Sequence, residues 1–211
     1  MPPGGRRMNE LPGQIEVAVE GIVPAAAVAD RRDAALLERI VAGDRAAFDA
    51  LYRHYYARLT DFVSRMLHQH ELAEEVVNDT MYAVWTGGAR YAGRSRVSTW
   101  IFGIAYHKAL KRLERERRTA ADALDEDFDV ATDADPGSDA DAAQLQRQLE
   151  AALAKLSPAH RSVVELTFLL EYSYEEAADI VGCPVNTVKT RMFHARARLR
   201  KLLSAVVSRT R

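Results

Sequence analysis

The sequence predicts an all-α chain of two small helical domains joined by a flexible acidic linker. Three observations carry this. Apolar residues recur at spacings of three and four over 33–118 and again over 145–203, the mark of amphipathic helices. No stretch alternates as a half-buried strand does. Between the periodic blocks, residues 119–144 carry nine acidic side chains and no basic one. The expected divisions are a mobile arm at 1–30, a four-helix bundle at 31–118, the linker at 119–144 and a helix-turn-helix domain at 145–211.

Residues 1–30 are rich in Pro, Gly, Ala and Val and show no helical period, and Met8 is an alternative start. Leu36, Leu37, Ile40 and Val41 then form a short apolar stripe, with Gly43 as a stop and Asp44 as the next N-cap. Phe48, Leu51, Tyr52, Tyr55, Leu59, Phe62, Val63 and Met66 define a long second helix. Leu72, Val76, Val77, Thr80, Met81 and Val84 define a third. Gly87, Gly88 and Gly93 open a loop, after which Ser98 or Thr99 is placed to cap a fourth helix through Trp100, Ile101, Ile104 and Leu110. In 119–144, Pro136-Gly137 and only three sizeable apolar groups (Leu124, Phe128, Val130) cannot build a core. Leu145, Leu149, Leu153 and Leu156 resume the helical period, and Ser157-Pro158 starts the next helix with Pro in its first position.

The net charge of −1 over 211 residues is a cancellation. Residues 1–30 sum to −2, 31–118 to +5 (16 basic against 11 acidic), 119–144 to −9 and 145–211 to +5 (11 against six). Two basic blocks suit an anionic partner; ordinary solvated helix faces are the plain alternative. A single cysteine excludes a disulfide framework and a zinc site of several thiolates. No apolar run approaches the roughly 18 residues of a membrane span, and the first 30 residues lack a signal-peptide core. A cytoplasmic protein without membrane insertion is expected.

The sharpest local pattern lies in 173–203. Ser173 with Glu176 three residues on is a capping box, and it opens a helix bearing Ala177, Ala178, Ile180 and Val181. Gly182-Cys183-Pro184 breaks that helix, and a basic one begins near Val185. Helix, tight turn, basic helix is the arrangement whose second helix enters the DNA major groove. At 100° per residue, Val188, Met192, Ala195, Leu199 and Leu202 face inward. The outer face then carries Asn186, Thr187, Lys189, Thr190, Phe193 and His194, flanked by Arg191, Arg196 and Arg198. Such donors reach base edges, and guanidinium groups neutralise phosphates. Cys183 beside the turn reads as a small packing residue.

In the first basic block, Tyr82, Trp85, Tyr91, Trp100, Phe102 and Tyr106 interleave with Arg90, Arg94, Arg96, Lys108, Lys111 and Arg112. Aromatics that stack on bases beside cations that track the backbone suit single-stranded nucleic acid. Core packing is the alternative, and it is expected for Trp85, Phe102 and Tyr106. Tyr91, Arg94, Ser95 and Arg96 sit in a glycine-flanked loop, where core packing is less expected.

Taken together, these stretches resemble the bacterial RNA polymerase sigma factors of the extracytoplasmic-function (ECF) group. The matching segments are AFDALYRHYYARL (47–59), AEEVVNDTMYAVW (73–85), YAGRSRVSTWIFGIAYHKAL (91–110), LSPAHRSVVEL (156–166) and YSYEEAADIVGCPVNTVKTRMFHARARL (172–199). The resemblance implies a sigma-2-like domain at 31–118 and a sigma-4-like domain at 145–211. It implies that Glu74, Glu75, Asn78 and Asp79 dock on core polymerase. It implies that Tyr91, Arg94, Ser95, Arg96, Thr99, Trp100, Lys108, Lys111 and Arg112 capture the unwound −10 strand. It implies that Asn186, Thr187, Lys189, Thr190, Arg191, Phe193, His194, Arg196 and Arg198 read the −35 element. Its partners would be the beta and beta-prime subunits of core polymerase, promoter DNA in double- and single-stranded form, and an anti-sigma factor. Catalysis would belong to the polymerase, with no catalytic residue, metal or cofactor in this chain.

The chain departs from the family pattern at several places. Asn186 stands where many relatives have Gly, Thr167 where Arg is frequent, and Leu170-Glu171-Tyr172 where Glu-Gly-Leu is usual. His107-Lys108 replaces a common Arg-Asn pair, and Arg94 and Arg96 make the loop unusually basic. Two rival readings compete with this one. A dimeric helix-turn-helix repressor explains 145–211 but not the aromatic-basic first block. An enzyme finds only His68 and His70 as a metal pair, and residues at i and i+2 diverge around a helix.

Overall fold

The computed structural model describes residues 25–122 and 140–207. Eight α-helices are formed there: α1 (Ala25–Val41), α2 (Arg45–Leu67), α3 (His70–Gly87), α4 (Val97–Asp122), α5 (Ala140–Ala154), α6 (Pro158–Val164), α7 (Tyr174–Val181) and α8 (Val185–Val207). There is no strand among the described residues. Helix α1 starts well before the stripe at 36–41, within the expected arm. Alanines at 25–27 and 29 are the reason, since Ala has the best helix propensity. Helix α4 likewise runs into the expected linker and α5 starts inside it. The remainder of the expected arm (1–24) and of the linker (123–139) lies outside the described residues.

Helices α1–α4 enclose a core of Leu51, Leu59, Phe62, Val63, Val77, Val84 and Ile101, none of them measurably exposed. Asp44 caps α2 as expected, its Oδ1 accepting from the backbone N–H groups of Ala46 (2.9 Å) and Ala47 (3.2 Å). Helix α2 ends at His68, whose backbone adopts the left-handed conformation (φ 57°). The cap of α4 differs from the expected one. The helix begins at Val97, and its first N–H donates to Oδ1 of Asp30 on α1, 3.2 Å away. Ser98 and Thr99 are therefore inside the helix, and a residue far back in the chain supplies the cap.

Helices α5–α8 form the second unit. Ser157 caps α6 with Pro158 next, as expected, and Ser173 and Glu176 complete their capping box. After α6 the backbone widens into one π-type turn, Glu165–Leu169, in which Leu170 N–H donates to the Glu165 carbonyl. Sequence periodicity gives no sign of it. The next reversal places Glu171 at φ 58°. That is where the family's usual Gly stands, and glycine alone adopts such a conformation without steric cost. Gly182, at φ 68°, ends α7 in the same way.

Arg161 and Glu165 form an ion pair (Nε to Oε1, 3.4 Å) with side chains only 8% and 0% exposed. Desolvation dominates the Glu165 carboxyl, which is pushed up to about 7 despite the Arg161 and Arg65 charges. Burial also lowers the Arg161 guanidinium. Both partners thus lose more by leaving water than they recover from each other.

Glu171→Gly should raise stability by about 1 kcal/mol, read from urea midpoints, by relieving the left-handed backbone. Asp30→Ala should cost about 1 kcal/mol by removing the cap of α4. Because Glu165 titrates higher in the folded state, its stabilising effect is greatest at low pH and is lost as pH rises through 7. From pH 6.5 to 8.5, wild-type stability should fall by about 1 kcal/mol relative to Glu165→Gln.

Candidate nucleic-acid interface

Helix α8 presents its faces as the 100° spacing requires. Val188, Met192 and Ala195 are buried, and Leu199 and Leu202 half-buried. Asn186, Lys189, Thr190, Phe193, His194, Arg196 and Arg198 are exposed, and Thr187 and Arg191 are intermediate. Phe193 is 70% exposed. No acidic residue lies on α8. Arg191 differs from its neighbours: its guanidinium lies 3.7 Å from Cys183 Sγ, and near Tyr106 on α4, whose hydroxyl burial pushes up, its charge offsets part of that rise. Arg196 stands over the Phe168 ring at 5.1 Å. Phe168 and Leu169 are 57% and 49% exposed because the π-type turn aims them outward, and no local sequence signal marks them.

The loop before α4 is folded back rather than open. The Tyr91 hydroxyl donates to the Ser95 carbonyl, and its ring lies 5.3 Å from that of Trp100. Arg94 is exposed on the loop. Arg96 pairs with Glu176 of α7 (Nε to Oε1, 2.8 Å). Thr99 departs from its expected role: it is 1% exposed and offers no surface to DNA, because α4 starts two residues before it. Lys111 is exposed. Of the aromatics expected in the core, Phe102 and Tyr106 are buried and Trp85 is half-buried, its ring edge-on to Phe48. Tyr82 stands out at 67% exposed.

The acidic row of α3 meets the basic row of α4. Asp79 lies 3.6 Å from Lys108, and Glu75 lies 3.6 Å from Arg112, which also contacts Glu116 at 3.4 Å. From the other side, the hydroxyls of Tyr56 and Tyr52 donate to Glu74 and Asn78, both at 2.8 Å. In sequence Tyr52 reads as part of an apolar stripe, and Tyr56 stands outside it. The signal for the second role of Tyr52 is the hydroxyl itself, since Phe would serve a stripe equally well. Two rows assigned to different partners therefore form one continuous charged surface, with its side chains pre-positioned.

The His68 and His70 pair is separated by a helix break rather than by rotation around one helix. His68 ends α2 and its Nε2 lies 2.6 Å from Arg161 Nη1, while His70 begins α3, 3.7 Å from Glu74. Among the described residues no three His, Cys, Asp or Glu side chains are grouped to hold a metal ion. No helix among them is long and apolar enough to cross a membrane.

Two family models match this chain in order: Sigma-70 region 2 over residues 51–119 and Sigma-70 region 4 over 146–199. Among curated proteins it is similar to the ECF RNA polymerase sigma factor RpoE of Cereibacter sphaeroides, at 31% identity over 83% of this chain and 97% of the relative. It is 32% identical to SigM of Mycobacterium tuberculosis over 82% of this chain and 86% of that one. Among solved structures it resembles CnrH in complex with the cytosolic domain of CnrY (TM-score 0.62, 26% identity, 82% of this chain and 98% of that chain). It also resembles the sigma factor RpoE of Bartonella quintana in complex with the anti-sigma factor NepR (TM-score 0.61, 28% identity, 74% and 96%). The chain belongs to the ECF RNA polymerase sigma factors, non-enzymatic proteins of transcription initiation.

Proposed function

We propose that this sigma factor joins core RNA polymerase, reads the −10 and −35 elements with its two helical domains and promotes strand opening in the cytoplasm. The observation that supports this most is α8: a helix whose inner stripe is buried and whose outer face is basic, free of acid and lined with hydrogen-bond donors. Lys189, Thr190, Arg198 and their neighbours are suited to phosphates and major-groove edges, with Phe193 available for a thymine methyl.

At the other end, Trp100, Lys108, Lys111, Arg112 and the loop bearing Tyr91, Arg94, Ser95 and Arg96 are assigned to the −10 strand. Stacking and phosphate binding there hold the separated strand and so convert binding energy into opening. Glu74 and Asn78, held in place by Tyr56 and Tyr52, and Glu75 and Asp79, paired with Arg112 and Lys108, are assigned to core polymerase. Because CnrH and the Bartonella RpoE were solved with CnrY and NepR, an anti-sigma factor is proposed for this chain too.

Replacing Lys189 and Arg191 together with Ala should weaken binding of the holoenzyme to the upstream duplex about tenfold. The salt slope should fall by roughly 1 for each phosphate that is no longer neutralised. Affinity for core polymerase should stay within about twofold. An equal fall in core affinity would contradict this division of roles.

A further inference from the structure

Three side chains able to carry positive charge meet where α6 packs on α8. The His160 ring of α6 stands edge-on to that of His194, with centroids 6.3 Å apart and planes at 88°. Arg191 lies about one turn before His194 on α8, near enough for its charge to act on His160. His194 is exposed, and His160 and Arg191 are half-buried. In sequence His160 reads as an isolated histidine, and only the packing of α6 on α8 brings it to the recognition helix.

What this group lacks is an acid. Among the described residues no carboxylate lies within 4 Å of any of the three. Helix α6 packs on α8, α2 and the π-type turn. Arg65 and His68 of α2 and Glu165 of the turn face Arg161, not His160. Helices α5 and α7 also pack on α8, but there Glu150 is turned to Gln146, and Glu176 to Arg96 and the Ser173 backbone. Burial and the charges of His194 and Arg191 hold the His160 imidazole below its ordinary pKa. Ser157 Oγ lies 2.5 Å from His160 Nδ1. A hydroxyl that donates to Nδ1 leaves the ring proton on Nε2, so even the neutral ring presents a donor.

A phosphodiester supplies what is missing: one negative charge and two free oxygens. When the outer face of a recognition helix enters the major groove, the residues along its flank meet the phosphate backbone. A phosphate among these groups turns their mutual repulsion into attraction and favours the protonated rings. We propose that His160, Arg191 and His194 together hold one DNA phosphate, and that His160, on a helix outside the helix-turn-helix, makes this grip tighten as pH falls. The grip rests on the DNA role proposed for α8 above and adds to it a residue from α6.

The test uses the full chain and a short random-sequence duplex, with binding followed by fluorescence anisotropy at constant ionic strength. A proton held more firmly in the complex favours the complex, so affinity rises as pH falls through the histidine range. Wild-type affinity should rise about tenfold between pH 8 and pH 6. His160→Gln keeps a neutral donor. It should bind within about twofold of wild type at pH 8 and gain less than about half as much, on a logarithmic scale, at pH 6. His194→Gln should behave alike, and His70→Gln, on α3, should keep the wild-type profile. A purely structural His160 would weaken binding equally at every pH. Equal pH profiles for wild type and His160→Gln would overturn the phosphate grip while leaving the DNA role of α8 standing. Absence of wild-type binding at every pH would overturn that DNA role itself. In NMR titrations the His160 ring pKa should rise by about one unit with duplex. A rise with inorganic phosphate but none with duplex would overturn DNA as the source of the anion.

Discussion

Burial of the Phe102 ring organises both helical units. The ring is fully buried in the second turn of α4, with Phe62 at 5.5 Å and Tyr55 at 6.4 Å within the first bundle. Arg58 stands 5.6 Å above it, and Tyr172 of the second unit closes on it at 5.5 Å. Large aromatic surface buried among other rings gives both the area and the geometric preference that fix a helix in place. With α4 so fixed, its next turns carry Lys108 and Arg112 to the acids of α3, and its start carries Arg96 to α7. One helix thus serves the bundle core, the charged surface and the contact with the second unit.

That shared role explains why the charged rows are ordered without being buried. Glu75, Asp79, Lys108 and Arg112 pair across neighbouring helices at 3.6 Å, in partial contact with water. Exposed pairs of this kind contribute little to stability. They keep long side chains positioned, and such pairs exchange partners at low cost.

Much of the fold is legible in the sequence because periodicity and capping are local. Asp44, Ser157-Pro158, the Ser173–Glu176 box, Gly182 and the inward stripe of α8 from Val188 to Ala195 are each written within a few residues, and each forms as expected. What periodicity does not reveal is long-range or irregular. The cap of α4 comes from Asp30, and no local pattern points there. The π-type turn at Glu165–Leu169 breaks the period that makes helices readable, so nothing local marks Phe168 and Leu169 as exposed. Among candidate site residues, the outer face of α8 follows from arithmetic on the sequence. The fates of Arg96, Thr99 and Arg191 depend on a seam between units that periodicity does not describe.

A sigma factor acts through polymerase and not alone. Run-off transcription with core polymerase on a library of promoter sequences tests this for the present chain, with duplex binding by the free chain measured in parallel. Discrete start sites that require both the chain and core polymerase are expected, together with weak, salt-sensitive binding by the chain alone. Tight, site-specific binding to duplex DNA without polymerase, and no new transcripts with it, would contradict that role.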